Sequence, residues 1–164
     1  VSDGTHRIIV SIYCLSVYKW GGRSKDIPGL STNTSLYNGY DNTESIIAAV
    51  TSSDGYFTAS PYSAAAVAKN NPFPSGEIGF LGSSAEWGIV AKYAELVESL
   101  ITAVNGDALT KTGSLIYWTS TGGSSNTVAY TYHMYRSSTD NSLQTGIGSS
   151  ARSDSKHIRV FRNF

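Results

Sequence analysis

Cysteine is nearly missing from this chain. The single Cys14 excludes an internal disulfide and any cysteine-rich metal site. It lies inside an apolar run, which predicts a buried, inert thiol rather than a nucleophile. Charge is scarce as well, at 15% of residues with a formal net charge of zero and no basic tract. That balance gives nucleic acid and anionic membrane surfaces no electrostatic foothold. No apolar run approaches the ~20 residues needed to cross a bilayer. No leader peptide is visible, and the chain begins at Val1 rather than Met, as a mature form or an excised domain does.

Catalytic and metal motifs are missing too. His6, His133 and His157 lie far apart and show no zinc spacing, and His133 reads as a surface or half-buried strand residue. There is no Gly-rich phosphate loop, no acidic calcium ladder and no Gly-x-Ser-x-Gly elbow. Glu86 and Asp107 read as a helix cap and a loop residue rather than a catalytic pair, and Glu95 and Glu98 as the solvated side of a helix. No cofactor is implied, and the expectation is a protein that is not an enzyme.

What is present in quantity is Tyr, with 11 residues, and Gly, with 16, alongside many Ser and Thr. With so few charges, these point to an extracellular type of β-rich or α+β domain. At 164 residues the chain suits one domain with a real core. Residues 7–18 (RIIVSIYCLSVY) read as one buried strand. Residues 26–30 (DIPGL) form a turn in which Gly29 takes a positive φ. A helix opens at Asp41, capped there with Glu44 reaching back, and runs through Ile46 to Val50. A second short helix opens at Ser60-Pro61-Tyr62-Ser63 and continues to Lys69. The third opens on a Ser83-x-x-Glu86 capping box. Behind it Ile89, Val90, Tyr93, Leu96, Val97, Leu100, Ile101 and Val104 form one core-facing stripe, ending at Asn105-Gly106. Strands follow at 115–118, 127–135, 143–147 and 157–161. The expected fold class is α+β, with two to three helices packed on antiparallel sheets.

The last 49 residues organise the rest. Between Thr119 and His157, Ser, Thr, Gly, Asn, Asp and Tyr make up 27 of 39 residues, with no Glu, Trp, Cys, Phe or Pro. This is the palette of a recognition surface, in which Tyr offers rigid contact area and Ser, Gly and Asn offer adaptable hydrogen bonding. Exposed hairpins with polar loops share the same palette.

Several segments then fall in a telling order: Trp20-Gly21-Gly22, Asp26-Ile27-Pro28-Gly29-Leu30, Asn42-Thr43-x-x-Ile46-Ile47, Leu81-Gly82-Ser83-Ser84-Ala85-Glu86-Trp87, Tyr117-Trp118-Thr119-Ser120-Thr121 and Ile158-Arg159-x-x-Arg162-x-Phe164. From Trp20 to Phe164 the chain resembles the C-type-lectin-like domains of bacterial surface and phage adhesins, the group related to formylglycine-generating enzymes. It is similar in particular to the variable proteins of diversity-generating retroelements. That resemblance implies a single domain over 1–164 with a constant scaffold and a diversified ligand-binding part at 117–164. Only Met134, Gln144 and Lys156 between Thr119 and His157 lie outside the set reachable from randomised Asn codons. The cysteine pair of formylglycine-generating enzymes is missing, as are the Glu-Pro-Asn or Gln-Pro-Asp and Trp-Asn-Asp segments of calcium-dependent lectins.

The resulting expectation is an adhesin module on a bacterial cell surface or phage tail. Its partner is a protein or glycan ligand, with no nucleic acid and no membrane insertion. The candidate ligand-binding residues are Ser124, Ser125, Thr127, Tyr130, Tyr132, Arg136, Ser137, Asn141, Ser149, Arg152 and Asp154. Tyr130 and Tyr132 share a strand face as anchors, and Arg136 and Arg152 sit at the rim as charged hot spots. Arg159 and Arg162 are expected to hold the scaffold by pairing with Glu86. The rival expectation is a structural or pilus-type surface domain.

Overall fold

The computed structural model describes residues 1–50, 63–110 and 114–164. In chain order the elements are β1 (Ile8–Val10), β2 (Leu15–Lys19), α1 (Gly39–Ala49), α2 (Ala64–Lys69), β3 (Phe80–Leu81), α3 (Ser84–Lys92), α4 (Ala94–Ala103), β4 (Ser114–Gly122), β5 (Val128–Arg136), β6 (Leu143–Ala151), β7 (Ser155–Ile158) and β8 (Val160–Asn163). The class is α+β. A small antiparallel sheet runs β1-β8-β3, and a five-stranded sheet runs β2-β7-β4-β5-β6. Within the larger sheet only the β4–β7 contact is parallel.

Two runs expected to be single strands are each split between the sheets. Residues 7–18 break into β1 and β2, and the strand expected at 157–161 divides between β7 and β8. Both breaks meet at Arg159, which is fully buried. Its guanidinium donates to the carbonyls of Ser11 (2.9 Å), Ala108 (2.9 Å) and Asp107. The Asp107 side chain accepts the Cys14 N–H at 3.0 Å, while Asp107 N–H donates to Ile12 O. The backbone at 11–14 is thus satisfied by a loop and an arginine instead of a ladder, and it can cross from one sheet to the other. Cys14 is half-buried there, with its Sγ 3.6 Å from His157 Nδ1. Arg159 does brace the scaffold, but not through Glu86, and Arg162 pairs with Glu77.

The third expected helix is two. The Ser83–Glu86 capping box is present, and α3 runs from it to Lys92. Tyr93 then leaves helical geometry at φ −119°, ψ 25°, and α4 starts along a new axis. The break divides the predicted stripe. Ile89, Val90, Val97 and Ile101 are buried, whereas Leu96, Leu100 and Val104 are exposed. Glu98 takes the inward place, its carboxylate accepting from Thr110 N–H (3.1 Å) and Arg136 (3.0 Å), so it is not on a solvated face. Asn105 ends α4 at φ +57°, in the left-handed region as expected.

Helix α1 begins at Gly39, two residues before the expected cap, and no side chain caps it. Glu86 decides this start. Its carboxylate accepts from Gly39 N–H (3.3 Å) and Ser83 N–H (2.7 Å), and a Cβ on Gly39 would lie 2.1 Å from Glu86 Oε2. Only glycine allows that approach. Glu44 pairs instead with Lys69 of α2 at 2.6 Å. Helix α2 is capped by Ser63, which accepts Ala66 N–H; the expected start at 60–62 lies outside the described residues. Gly29 takes its turn at φ +77°.

Two apolar clusters form the core. One surrounds Trp87, whose ring lies 4.7 Å from Tyr117, 5.0 Å from Phe161 and 5.9 Å from Tyr132. The other surrounds Trp20 and Trp118. Each of these indoles finds a carbonyl at 2.7 Å, Trp20 that of Thr119 and Trp118 that of Tyr18. The partnered N–H lowers the cost of burying these two rings.

Candidate ligand-binding surface

Strands β4, β5 and β6 form an antiparallel ribbon whose register fixes where each candidate falls. Val128 pairs with Ala151 at one end of β5, and Arg136 pairs with Leu143 at the other. The 123–127 loop and the 152–154 turn therefore share one end. The 137–142 turn lies at the far end, roughly 26 Å away at the usual strand rise. Ser124, Ser125, Thr127, Tyr130, Ser149 and Asp154 gather on the first side, with Ser149 directly opposite Tyr130. Arg136, Ser137 and Asn141 belong to the other. The eleven residues do not make one patch.

The first end has an exposed rim on a buried brace. Ser124, Ser125 and Asp154 are exposed, and Thr127 is half-buried. Ser125 and Thr127 share a hydroxyl hydrogen bond at 2.8 Å, and Asn126 donates to Asp26 at 3.1 Å. Asp154 reaches only Lys156, at 3.7 Å. Load at this end is carried by Arg152. It is 3% exposed and donates to the carbonyls of Val128 (3.1 Å), Gly22 (3.1 Å) and Lys25 (2.9 Å). Its guanidinium lies 4.4 Å from the Trp20 ring centre. Burial pushes its pKa down to about 10, which leaves it a cation at neutral pH. Arg152 is thus a strut and not a rim hot spot. Sequence alone cannot reveal this, because the carbonyls it serves come from two distant segments, the 22–25 turn and β5.

Two further expectations fail for related reasons. Tyr132 does share a face with Tyr130, but that face packs on α3. Tyr132 is 7% exposed and stacks on Trp87, and burial raises its hydroxyl pKa. Tyr130 is half-buried. Arg136 forks across α4, reaching Glu95 at 2.8 Å and Glu98 at 3.0 Å, and also donates to Asn141 O. It clamps a helix to the ribbon. Ser137 and Asn141 shape the adjoining turn, with Asn141 N–H donating to Ser137 O and Asn141 at φ +58°.

The ribbon also carries residues outside the expected set. Along the edge strand β6, Thr145, Ile147 and Ser149 share the face of Met134, Tyr132 and Tyr130, and all three are exposed. Their signal was legible as alternation in QTGIGSSA. Beside Ile147 opens a groove of about 440 Å³, bounded by α3 on one bank and by Asp3 and residues 34–37 on the other. Tyr37 donates to Asp3 at 3.0 Å and stacks on His6 with ring centres 3.7 Å apart. The N–H groups of His6 and Thr5 hold the Asp3 carboxyl far below its usual range, so it is always an anion. No sequence motif announces this groove, since its banks come from four distant segments.

Among the described residues, no three His, Cys, Asp or Glu side chains converge to hold a metal, and no helix is long and apolar enough to cross a membrane. His133 is half-buried, its Nε2 3.0 Å from the Thr131 hydroxyl. What the structure defines is an α+β domain with a polar, largely hydroxylated ribbon on a packed frame. No protein-family model, curated protein or solved structure matches the chain.

Proposed function

We propose that this chain is a ligand-binding adhesin module of the C-type-lectin-like kind, presenting a variable surface from its 117–164 segment on a constant scaffold. It binds without chemistry of its own, outside the cell. One observation carries the reading: most of the residues that carry the resemblance are buried, whereas a set of polar residues in the 117–164 segment reaches the surface. Trp20, Leu81, Ser83, Glu86, Trp87, Tyr117, Trp118, Thr119, Ser120, Thr121, Ile158 and Arg159 are all buried. Both threonine hydroxyls of the Trp-Thr-Ser-Thr segment serve the frame. Thr121 accepts Ser84 N–H at 3.0 Å, and Thr119 donates to Tyr130 O at 3.0 Å. By contrast Ser124, Ser125, Thr145, Ile147, Ser149 and Asp154 are exposed. Surface positions of that kind tolerate substitution within about 0.5 kcal/mol.

The test is to sequence the segment coding for 117–164 across related isolates. Substitutions should concentrate at Ser124, Ser125, Thr145, Ile147, Ser149 and Asp154 and spare Trp118, Thr119, Arg152 and Arg159. An even spread over exposed positions of the whole chain would overturn the proposal in favour of a structural surface domain.

A further inference from the structure

The geometry points to the groove between α3 and the Asp3–Tyr37 bank as a site for a short saccharide that bears a carboxylate. This inference rests on the binding-module reading and names a ligand class for it. The groove's volume of about 440 Å³ falls within the roughly 300–1,000 Å³ of small-ligand clefts.

Its floor is Gly88, in the middle of α3. A glycine there costs the helix up to about 1 kcal/mol relative to alanine. Among the described residues nothing outside its own turn of helix occupies the space, since a Cβ on Gly88 would meet no such atom within 4 Å. Its φ is not in the left-handed region either. The missing side chain serves only to deepen the groove.

The walls offer complementary chemistry. Asp3 accepts the Tyr37 proton, and that fixes the phenol with its oxygen lone pairs available to a ligand hydroxyl. Thr34 and Ser35 add two hydroxyls on the same bank. Across from them stands Lys92, which forms no ion pair with any described residue and has its ammonium 5.4 Å from the Tyr93 ring. The groove lining thus holds one cation, Lys92, and one anion, Asp3, on opposite banks, which suits a ligand whose anionic group meets Lys92 while its hydroxyls meet the Asp3–Tyr37 bank. Ile147 supplies an apolar wall for the C–H face of a sugar ring. The backbone N–H and C=O groups in the body of α3 are committed to the helix, so that bank offers a ligand no strand edge to pair with. This disfavours an extended peptide, which relies on main-chain pairing. Ile147 belongs to the proposed variable segment, whereas Asp3, Tyr37, Gly88 and Lys92 belong to the scaffold. Diversification would then tune a fixed saccharide cleft from one wall.

The experiment is a titration of the whole chain with 3′-sialyllactose, with neutral lactose and an acidic hexapeptide as competing probes, read by calorimetry. The sialylated probe should bind at least tenfold more tightly than lactose. Gly88→Leu should keep or raise the melting temperature while weakening that binding at least tenfold. Lys92→Gln should abolish the preference for the acidic sugar. The saccharide assignment is overturned if the hexapeptide binds and the sugar does not, if neither binds, or if Gly88→Leu leaves binding unchanged. None of these results bears on the substitution pattern across isolates, so the groove and the adhesin reading can fail separately.

Discussion

Replacing Arg152 separates a structural strut from a ligand contact. The side chain satisfies three carbonyls, two from the 22–25 turn and one from β5, and covers Trp20. Hydrogen bonds to a charged donor contribute roughly 1.5–3 kcal/mol each. Against them stands the cost of burying the cation. A guanidinium pKa pushed down to about 10 corresponds to a penalty of about 3 kcal/mol. The balance favours the native arginine, and Arg152→Ala is expected to cost about 3 kcal/mol. For a chain of this size each kcal/mol shifts the melting temperature by about 2–4 °C, so a fall of about 6–12 °C should appear in a circular-dichroism melt. Arg152→Lys should recover less than half, because a point charge cannot span three diverging carbonyls or stack on an indole. The depressed pKa belongs to a cation that the folded state releases more readily than the unfolded one. Its pH effect is therefore confined to pH values above about 10, and the difference between variant and native protein should be flat from about pH 5 to 9. A shift under about 2 °C for Arg152→Ala would show that the brace is illusory and return this residue to the binding rim.

Other perturbations test the rest of the frame. Burial raises the Glu86 carboxyl above its ordinary 4.5, against the pull of the Ser83 and Gly39 N–H groups. The folded state then holds this proton more tightly than the unfolded one, so stability from Glu86 is fullest below about 4.5 and declines as pH rises through the folded value. Glu86→Gln, which mimics the protonated form, should match the native protein near pH 4 and exceed it at pH 7; a gap that is constant with pH in paired melts would refute this. Arg136→Ala should cost about 1–2 kcal/mol by releasing Glu95 and the nearly buried Glu98. Because Leu143 N–H and Arg136 hold the Glu95 carboxyl below its usual range, that cost should shrink only under strongly acidic conditions. Chemical denaturation at pH 7 and pH 3 checks both points. Ser125→Tyr should leave the melting temperature within about 2 °C, since the residue is exposed and bonds only its neighbour Thr127.

Much of the frame was written in local chemistry. The Ser83–Glu86 box, the Ser63 cap, the Gly29 turn and the Asn105 stop are set by residues a few positions apart, and each sits where its neighbours dictate. The apolar strands after residue 114 were equally legible, because alternation is read off the chain directly. Also visible in composition was the polar, Tyr- and Ser-rich character of the last third.

What only the folded chain decided is which of those polar and charged residues stay outside. Arg152, Arg159 and Arg136 look alike in sequence, yet the first two are buried against carbonyls from distant segments and the third clamps a helix. Tyr130 and Tyr132 obey the strand period, but α3 chooses which face is the core. The α3–α4 break at Tyr93 turned an apparent apolar stripe into one buried half and one exposed half, and the groove over Gly88 exists only because four separate segments meet there. Local rules depend on neighbours in sequence, whereas a buried cation or an open cleft depends on partners brought together by long-range packing.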